Sequence, residues 1–256
     1  MMSPAGIVSD VALALSFCTR IPTGGLTGDG PNLARASWAM PIAGAIVGIA
    51  GALAYWSAFR LGVPPLPSAA IALAATMLLT GCLHEDGLAD TADGFGGGVT
   101  RERKLEIMRD SRIGTFGVCA LIVSFALRWS ALATMAAPLQ VAAALIAAHV
   151  AARAILPAFM RLVPPARPDG LSAQAGRPPL ESAGVAALIG IIVLGIALGP
   201  LATLGAIILL ALAGAFMAWL ATRQIGGQTG DVLGALEQIC EIIVLLVAAS
   251  VARAHA

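Results

Sequence analysis

Charge is what this chain has least of. Only 11% of its 256 residues are Asp, Glu, Lys or Arg, and 5% are aromatic, with a single tyrosine. A soluble globular domain carries about 25% charged residues, so an ordinary water-soluble enzyme is excluded. The net charge of +1 says nothing of partners by itself; its distribution does, and no nucleic-acid partner is expected. Cysteine is sparse too: Cys18, Cys82, Cys119 and Cys240 are scattered with no C-x-x-C pair. That excludes a disulfide framework and a metal knuckle, and leaves them as small apolar residues in or near spans. Met1 to Arg20 lacks a basic start and Asp10 interrupts its apolar run, so no cleavable signal peptide is expected. No internal repeat and no soluble domain is visible, and residues 1–256 read as a single membrane-embedded domain.

Apolar residues are what fill the chain, at 59%, with a mean hydropathy of +0.91. Uninterrupted runs of roughly 20 residues match a hydrocarbon core of about 30 Å at 1.5 Å rise per residue. The expected fold is an all-α, polytopic membrane bundle with spans near 38–60, 67–83, 114–136, 138–162, 182–199, 201–221 and 232–252. Residues 7–18 are too short to span and suit an interfacial or packed helix, ended near Arg20-Ile21-Pro22. If the seven spans alternate, residues 19–37, 84–113, 163–181 and 222–231 emerge together and, with Arg161 at the adjoining end of the fourth span, account for eleven of the fifteen Lys+Arg. That asymmetry places them in the cytoplasm, with the amino terminus, and the carboxy terminus outside. The proline-rich stretch from Pro164 to Ser172 reads as a non-helical, lid-like loop.

The scarce charge is concentrated. His84-Glu85-Asp86-Gly87-Leu88-Ala89-Asp90-Thr91-Ala92-Asp93 holds four carboxylates, and Arg101, Arg103, Lys104, Arg109 and Arg112 follow. Crowded carboxylates need a counter-charge, usually a hard divalent cation; the cations need anions, with phosphate the obvious candidate. Asp86, Asp90 and Asp93 stand at i, i+4 and i+7, on one face if the second span continues as a helix through residue 93. Glu85 points about 100° away from Asp86 and needs another partner. Gly94-Phe95-Gly96-Gly97-Gly98 then ends the helix, with glycine at φ > 0 letting backbone N–H groups approach an anion. Thr100 to Arg112 reads as an amphipathic helix, and Asp110 to Thr115 as a helix start aimed at phosphate. A merely solvated acidic loop would mix lysine and serine among the acids and show no helical register.

A second polar cluster, Gly226-Gly227-Gln228-Thr229-Gly230-Asp231, returns to the same face, with Glu237 and Glu241 following in an apolar span. Asp231 is the better candidate for metal or substrate. Glu237 and Glu241 are open between structural and ligating roles, as is His84 between ligand, base and interface residue. Arg128 reads as snorkelling or pairing with Glu237 or Glu241, and His149 with Arg153, at i, i+4, is not specific.

The acidic string through Gly97, with Arg103-Lys104-Leu105-Glu106-Ile107-Met108-Arg109-Asp110-Ser111-Arg112-Ile113-Gly114-Thr115-Phe116-Gly117, resembles the signature of the cobalamin-5′-phosphate synthases. Phe17 to Pro22, Pro41 to Gly48 and Gly227 to Ala235 resemble that family as well, so the likeness covers nearly the full length. It implies a multi-pass enzyme of the bacterial inner membrane with a cytoplasmic active site. Such an enzyme joins adenosylcobinamide-GDP to α-ribazole or its 5′-phosphate, releases GMP, and uses Mg²⁺. On that resemblance Asp86, Asp90, Asp93 and His84 are the candidate catalytic residues. Glu85, Asp86, Asp90, Asp93 and Asp231 are the candidate metal ligands. Lys104, Arg109, Asp110, Arg112, Gly96 and Gly97 are the candidate substrate contacts. A homo-oligomer, or association with other enzymes of the pathway, is left open. Asp90-x-x-Asp93-Gly is also similar to the CDP-alcohol phosphotransferases, so a lipid-alcohol transferase is one alternative. A secondary transporter with intramembrane acids is the other.

Overall fold

The computed structural model describes residues 4–27 and 32–254. Apart from an isolated bridge between Pro165 and Gln228, the described secondary structure is helical. α1 (Pro4–Cys18) and the one-turn α2 (Leu33–Ala36) precede α3 (Met40–Arg60), the first long helix. Asp10 of α1 is buried and receives hydrogen bonds from Trp38 Nε1 at 3.0 Å and Arg35 Nη2 at 2.7 Å. The acid that interrupts the amino-terminal apolar run therefore fastens α1 to the start of the bundle.

α4 (Pro65–Thr80) returns antiparallel to α3, and α5 (Leu83–Gly97) carries the acidic string. The two do not form one straight rod as the sequence reading expects, because they meet at 88°. Gly81 (φ 66°) and Cys82 (φ 59°) are both left-handed, and two such residues in succession end one helix and redirect the next. The glycines after Asp93 also differ from expectation. Gly94, Gly96 and Gly97 are helical, and none of Gly94, Gly96, Gly97 and Gly98 has positive φ. Their lack of a side chain serves packing: a Cβ on Gly96 would fall 2.7 Å from the Phe116 ring, and one on Gly98 would fall 2.8 Å from the Lys104 backbone nitrogen.

α6 (Arg101–Ile107) is shorter than the expected 100–112 helix, capped by Thr100 Oγ1 accepting the Arg103 N–H at 3.2 Å. α7 (Thr115–Met135) and α8 (Pro138–Ala154) follow, then α9 (Leu156–Leu162), where Pro157 interrupts the ladder of a span that otherwise runs from Pro138 to Leu162. The proline-rich loop holds no helix until α10 (Leu171–Ala175). α11 (Leu180–Leu198), α12 (Pro200–Ile225) and α13 (Gly230–Ala254) complete the chain. Among the described residues six helices are long and apolar enough to cross a membrane, or seven with the bent α4–α5 pair. This is a multi-pass membrane bundle.

α8 and α13 are its most enclosed spans, whereas α11 and α12 expose Ile196, Leu201, Leu212 and Trp219 outward, as hydrocarbon requires. At one end the connecting segments are stitched together. Ala166 donates its N–H to Gln228 O at 2.8 Å, and Gln228 returns one to Pro164 O at 2.9 Å. Arg101 bonds Ile225 O at 2.7 Å and Ala166 O at 2.5 Å. The loops around residues 101, 165 and 228 thus share one end of the bundle, as alternation of the spans demands.

Candidate active site

The site forms where α5 meets α13. Both helices are stripped of side chains at the crossing: a Cβ on Gly87 would fall 2.8 Å from the Asp231 carbonyl oxygen, and one on Gly234 would fall 3.2 Å from the Gly87 Cα. This close approach brings Asp231, in the first turn of α13, beside Asp86 and Asp90 of α5. The carboxylates Asp86, Asp231 and Asp93 are the charged groups acting on Asp90. Among the described residues no cation pairs with Asp86 or Asp90, and the nearest to Asp231 is Arg167 Nη2, at 3.9 Å. Thr229 Oγ1 donates to Asp231 Oδ2 at 3.1 Å.

Two cavities share Asp86. The larger, about 670 Å³, runs between α4, α5, α7 and the 108–113 segment that follows α6, with Asp86, Asp90, Arg109, Asp110 and Ser111 among its polar lining. The smaller, about 190 Å³, is lined by His84, Asp86, Asp231, Phe17 and Met160, on the α1–α13 side. Oxygen donors gathered with negative neighbours and opening on a cavity fit a hard divalent cation, and Asp86, Asp90 and Asp231 are the residues that would hold it.

The remaining candidates are placed differently. Asp93 turns to α7: its carboxylate accepts the Gly114 N–H at 2.6 Å and the Gly117 N–H at 2.9 Å, capping that helix. Its register with Asp90 is as the spacing predicts, but it anchors α7. Glu85 lines the larger cavity together with Asp86 but is paired with Arg128 Nη1, at 3.1 Å, where Asp86 and Asp90 have no cation among the described residues. Lys104 is buried on the other side of α5, hydrogen-bonded to Gln224 and to Phe95 O, and does not line the larger cavity. Gly96 and Gly97 lie within the helix and present no open anion cradle. Arg109 reaches the cavity and is ion-paired with Asp169 of the 163–170 loop. Arg112 is exposed and grips Asp110; hydrogen bonds from its side chain and backbone hold that carboxyl down at about 2.

His84 abuts Arg153 Nη2 at 3.3 Å and stands 3.9 Å from Glu237, so one edge belongs to a buried network while the ring lines the smaller cavity. In that network Arg153 meets Glu237 at 2.6 Å and His149 Nδ1 at 3.2 Å, and Arg128 bridges Glu85 to Glu241, the latter at 3.3 Å. Gln238 donates to Glu237 at 3.1 Å and to Glu241 at 3.4 Å, and accepts from Ser124 at 3.1 Å. The expected pairing of Arg128 with an intramembrane acid is present, but no spacing pointed to Gln238 as the hub or to Arg167 beside Asp231. The only advance signal for Gln238 was that it stands inside an apolar span.

The family model for cobalamin-5-phosphate synthase matches residues 10–249. A Bradyrhizobium diazoefficiens adenosylcobinamide-GDP ribazoletransferase is 63% identical over 95% of this chain and 94% of its own length. Proteins of the same name from Mesorhizobium japonicum and Azorhizobium caulinodans are 53% and 48% identical, over 96% and 99% of this chain and 95% and 100% of theirs. No solved structure matches. The chain belongs to the cobalamin-5-phosphate synthase family.

Proposed function

We propose that the chain is an adenosylcobinamide-GDP ribazoletransferase, working at the cytoplasmic face of the inner membrane with Mg²⁺. The observation that carries the reading is the meeting of Asp86 and Asp90 from α5 with Asp231 from α13 beside a cavity that Arg109 also reaches. The relatives' name supplies the reactants. A ribose hydroxyl of α-ribazole, or of its 5′-phosphate, forms a bond to the phosphorus bearing cobinamide. The bond from that phosphorus to the GMP oxygen breaks, and GMP leaves with the electron pair.

A metal held by Asp86, Asp90 and Asp231 would neutralise charge on the phosphate oxygens and leaving group, where most of the barrier to phosphoryl transfer lies. The protein's own part is position and charge. The Gly87–Gly234 crossing fixes the spacing of the carboxylates, and Asp93 fixes α7 against α5 through its two backbone bonds. Arg109, one of the cavity's cations, meets the diphosphate. The hydroxyl proton passes to a carboxylate oxygen of Asp86 or Asp90, which line the cavity, or to His84, which lines the smaller cavity with Asp86.

The test is to incubate the purified chain with adenosylcobinamide-GDP, α-ribazole and Mg²⁺ and to assay GMP and the joined corrinoid. Equimolar appearance of both is expected. Absence of GMP, with turnover of a CDP-linked lipid alcohol instead, would overturn the assignment in favour of a lipid transferase.

A further inference from the structure

The larger cavity runs past the carboxylates to an inner end where Glu85 and Arg128 both line it, 6% and 1% exposed. Glu85 Oε1 is satisfied by Arg128 Nη1 at 3.1 Å. Glu85 Oε2 and Arg128 Nε are buried and have no hydrogen-bond partner. A buried polar atom without a partner is costly, and buried groups are normally paired. Here an unused acceptor and an unused donor belong to two residues lining the same pocket.

The apolar part of its wall is Met77, Met108, Leu121, Ile122 and Phe125. The occupant that suits them is flat and apolar on both faces, with an edge offering a donor beside an acceptor. Three aromatic bases take part in the proposed reaction, and the adenine, carried on the corrinoid cobalt, is separated from the diphosphate by the macrocycle. The benzimidazole-type base of ribazole is alkylated at one ring nitrogen and offers only the other as acceptor, so it would answer Arg128 and leave Glu85 Oε2 bare. Guanine carries N1–H and N2–H donors next to the O6 acceptor and answers both. Glu85 and Asp90 are five residues apart on α5, roughly 7.5 Å along the axis, which is the scale on which a nucleotide separates its base from its phosphates.

We propose that the inner end of this cavity reads the guanine of the donor nucleotide, with Glu85 accepting from its N–H edge and Arg128 donating to its carbonyl. This rests on the transferase reading above and adds a specificity-determining pair to it. Glu85 leaves the set of metal-ligand candidates and becomes the residue that distinguishes GDP from other activating nucleotides. A pocket that satisfies buried polar groups with the correct ligand rejects an analogue that leaves them unpaired.

The experiment uses the full chain in lipid nanodiscs with saturating α-ribazole and three donors: adenosylcobinamide activated with GDP, with IDP, which lacks the 2-amine, and with ADP. For the wild type kcat/KM should fall about tenfold from the GDP to the IDP donor, as expected for one hydrogen bond to a charged group, and further for the ADP donor. Glu85→Gln should lower the GDP-donor value about tenfold or more while changing the ADP-donor value far less, so that their ratio collapses. Glu241→Gln removes the other partner of Arg128 without lining the cavity and should leave the ratio as in the wild type. Equal use of all three donors by the wild type would overturn the proposal. So would a proportional loss on all donors in Glu85→Gln, which marks a merely structural role, or a rise confined to the KM for ribazole, which would give the pocket to the acceptor's base. A wild type that makes no product from any donor would instead sink the transferase reading, and this proposal with it.

Discussion

Gly87 and Gly234 face one another so closely that a Cβ built on either would lie 3.1–3.2 Å from the other's Cα. The geometry of the proposed site depends on that contact, because it sets how far Asp231 stands from Asp86 and Asp90. Gly87→Ala should therefore disable the site without removing any polar side chain. The new methyl meets the Asp231 carbonyl oxygen at 2.8 Å, and backbone cannot rotate aside as a side chain does. Overpacking of this kind costs about 1–3 kcal/mol. The expected result is loss of most transfer activity with a modest drop in thermal midpoint in detergent, measured by GMP release and by unfolding.

Asp90→Asn should leave membrane insertion normal and reduce transfer to near background. The side chain keeps its size but loses the charge that Asp86 and Asp231 gather around. Membrane fractionation together with GMP release checks both halves; turnover at the wild-type rate would refute a metal role for Asp90.

Chelation is the complementary test. Excess EDTA should abolish transfer, and added Mg²⁺ should restore it, because oxygen-only donor sets favour hard cations and release them reversibly. Full activity in EDTA would count against any divalent ion at these carboxylates.

Arg128→Met should unfold the bundle more easily than any single change at the cavity rim. It leaves Glu85 and Glu241, 6% and 1% exposed, without their shared cation. Removing one member of a buried ion pair costs about 3–5 kcal/mol. Adding Glu241→Gln should recover part of that loss, which thermal inactivation of single and double variants would measure.

The parts of the molecule that were legible in advance are those governed by the simplest physics. Apolar run length gave the spans, and the distribution of arginines put the acidic string and Asp231 at the same end. The 88° corner was not legible, because Cys82 gives no hint that a non-glycine residue adopts the left-handed conformation there. The glycines after Asp93 misled for a related reason: glycine suits a turn and also a tight helix crossing, and only the neighbours Met108, Phe116 and Lys104 decide between them. Spacing placed Asp93 correctly on the helix, yet could not show that two backbone N–H groups from residues 114 and 117 would occupy its oxygens. Lys104 and Glu85 look alike in sequence to any charge near an active site; what separates them from Asp86 is which helix each one faces.

The paired backbone bonds between the 164–166 stretch and Gln228 couple two regions that the chain order keeps far apart. Asp169 holds Arg109 from one side of that seam, and Asp231 opens the helix on its other side. A diphosphate that competed with Asp169 for Arg109 would therefore act on the loop whose backbone is bonded to Gln228, three residues before Asp231.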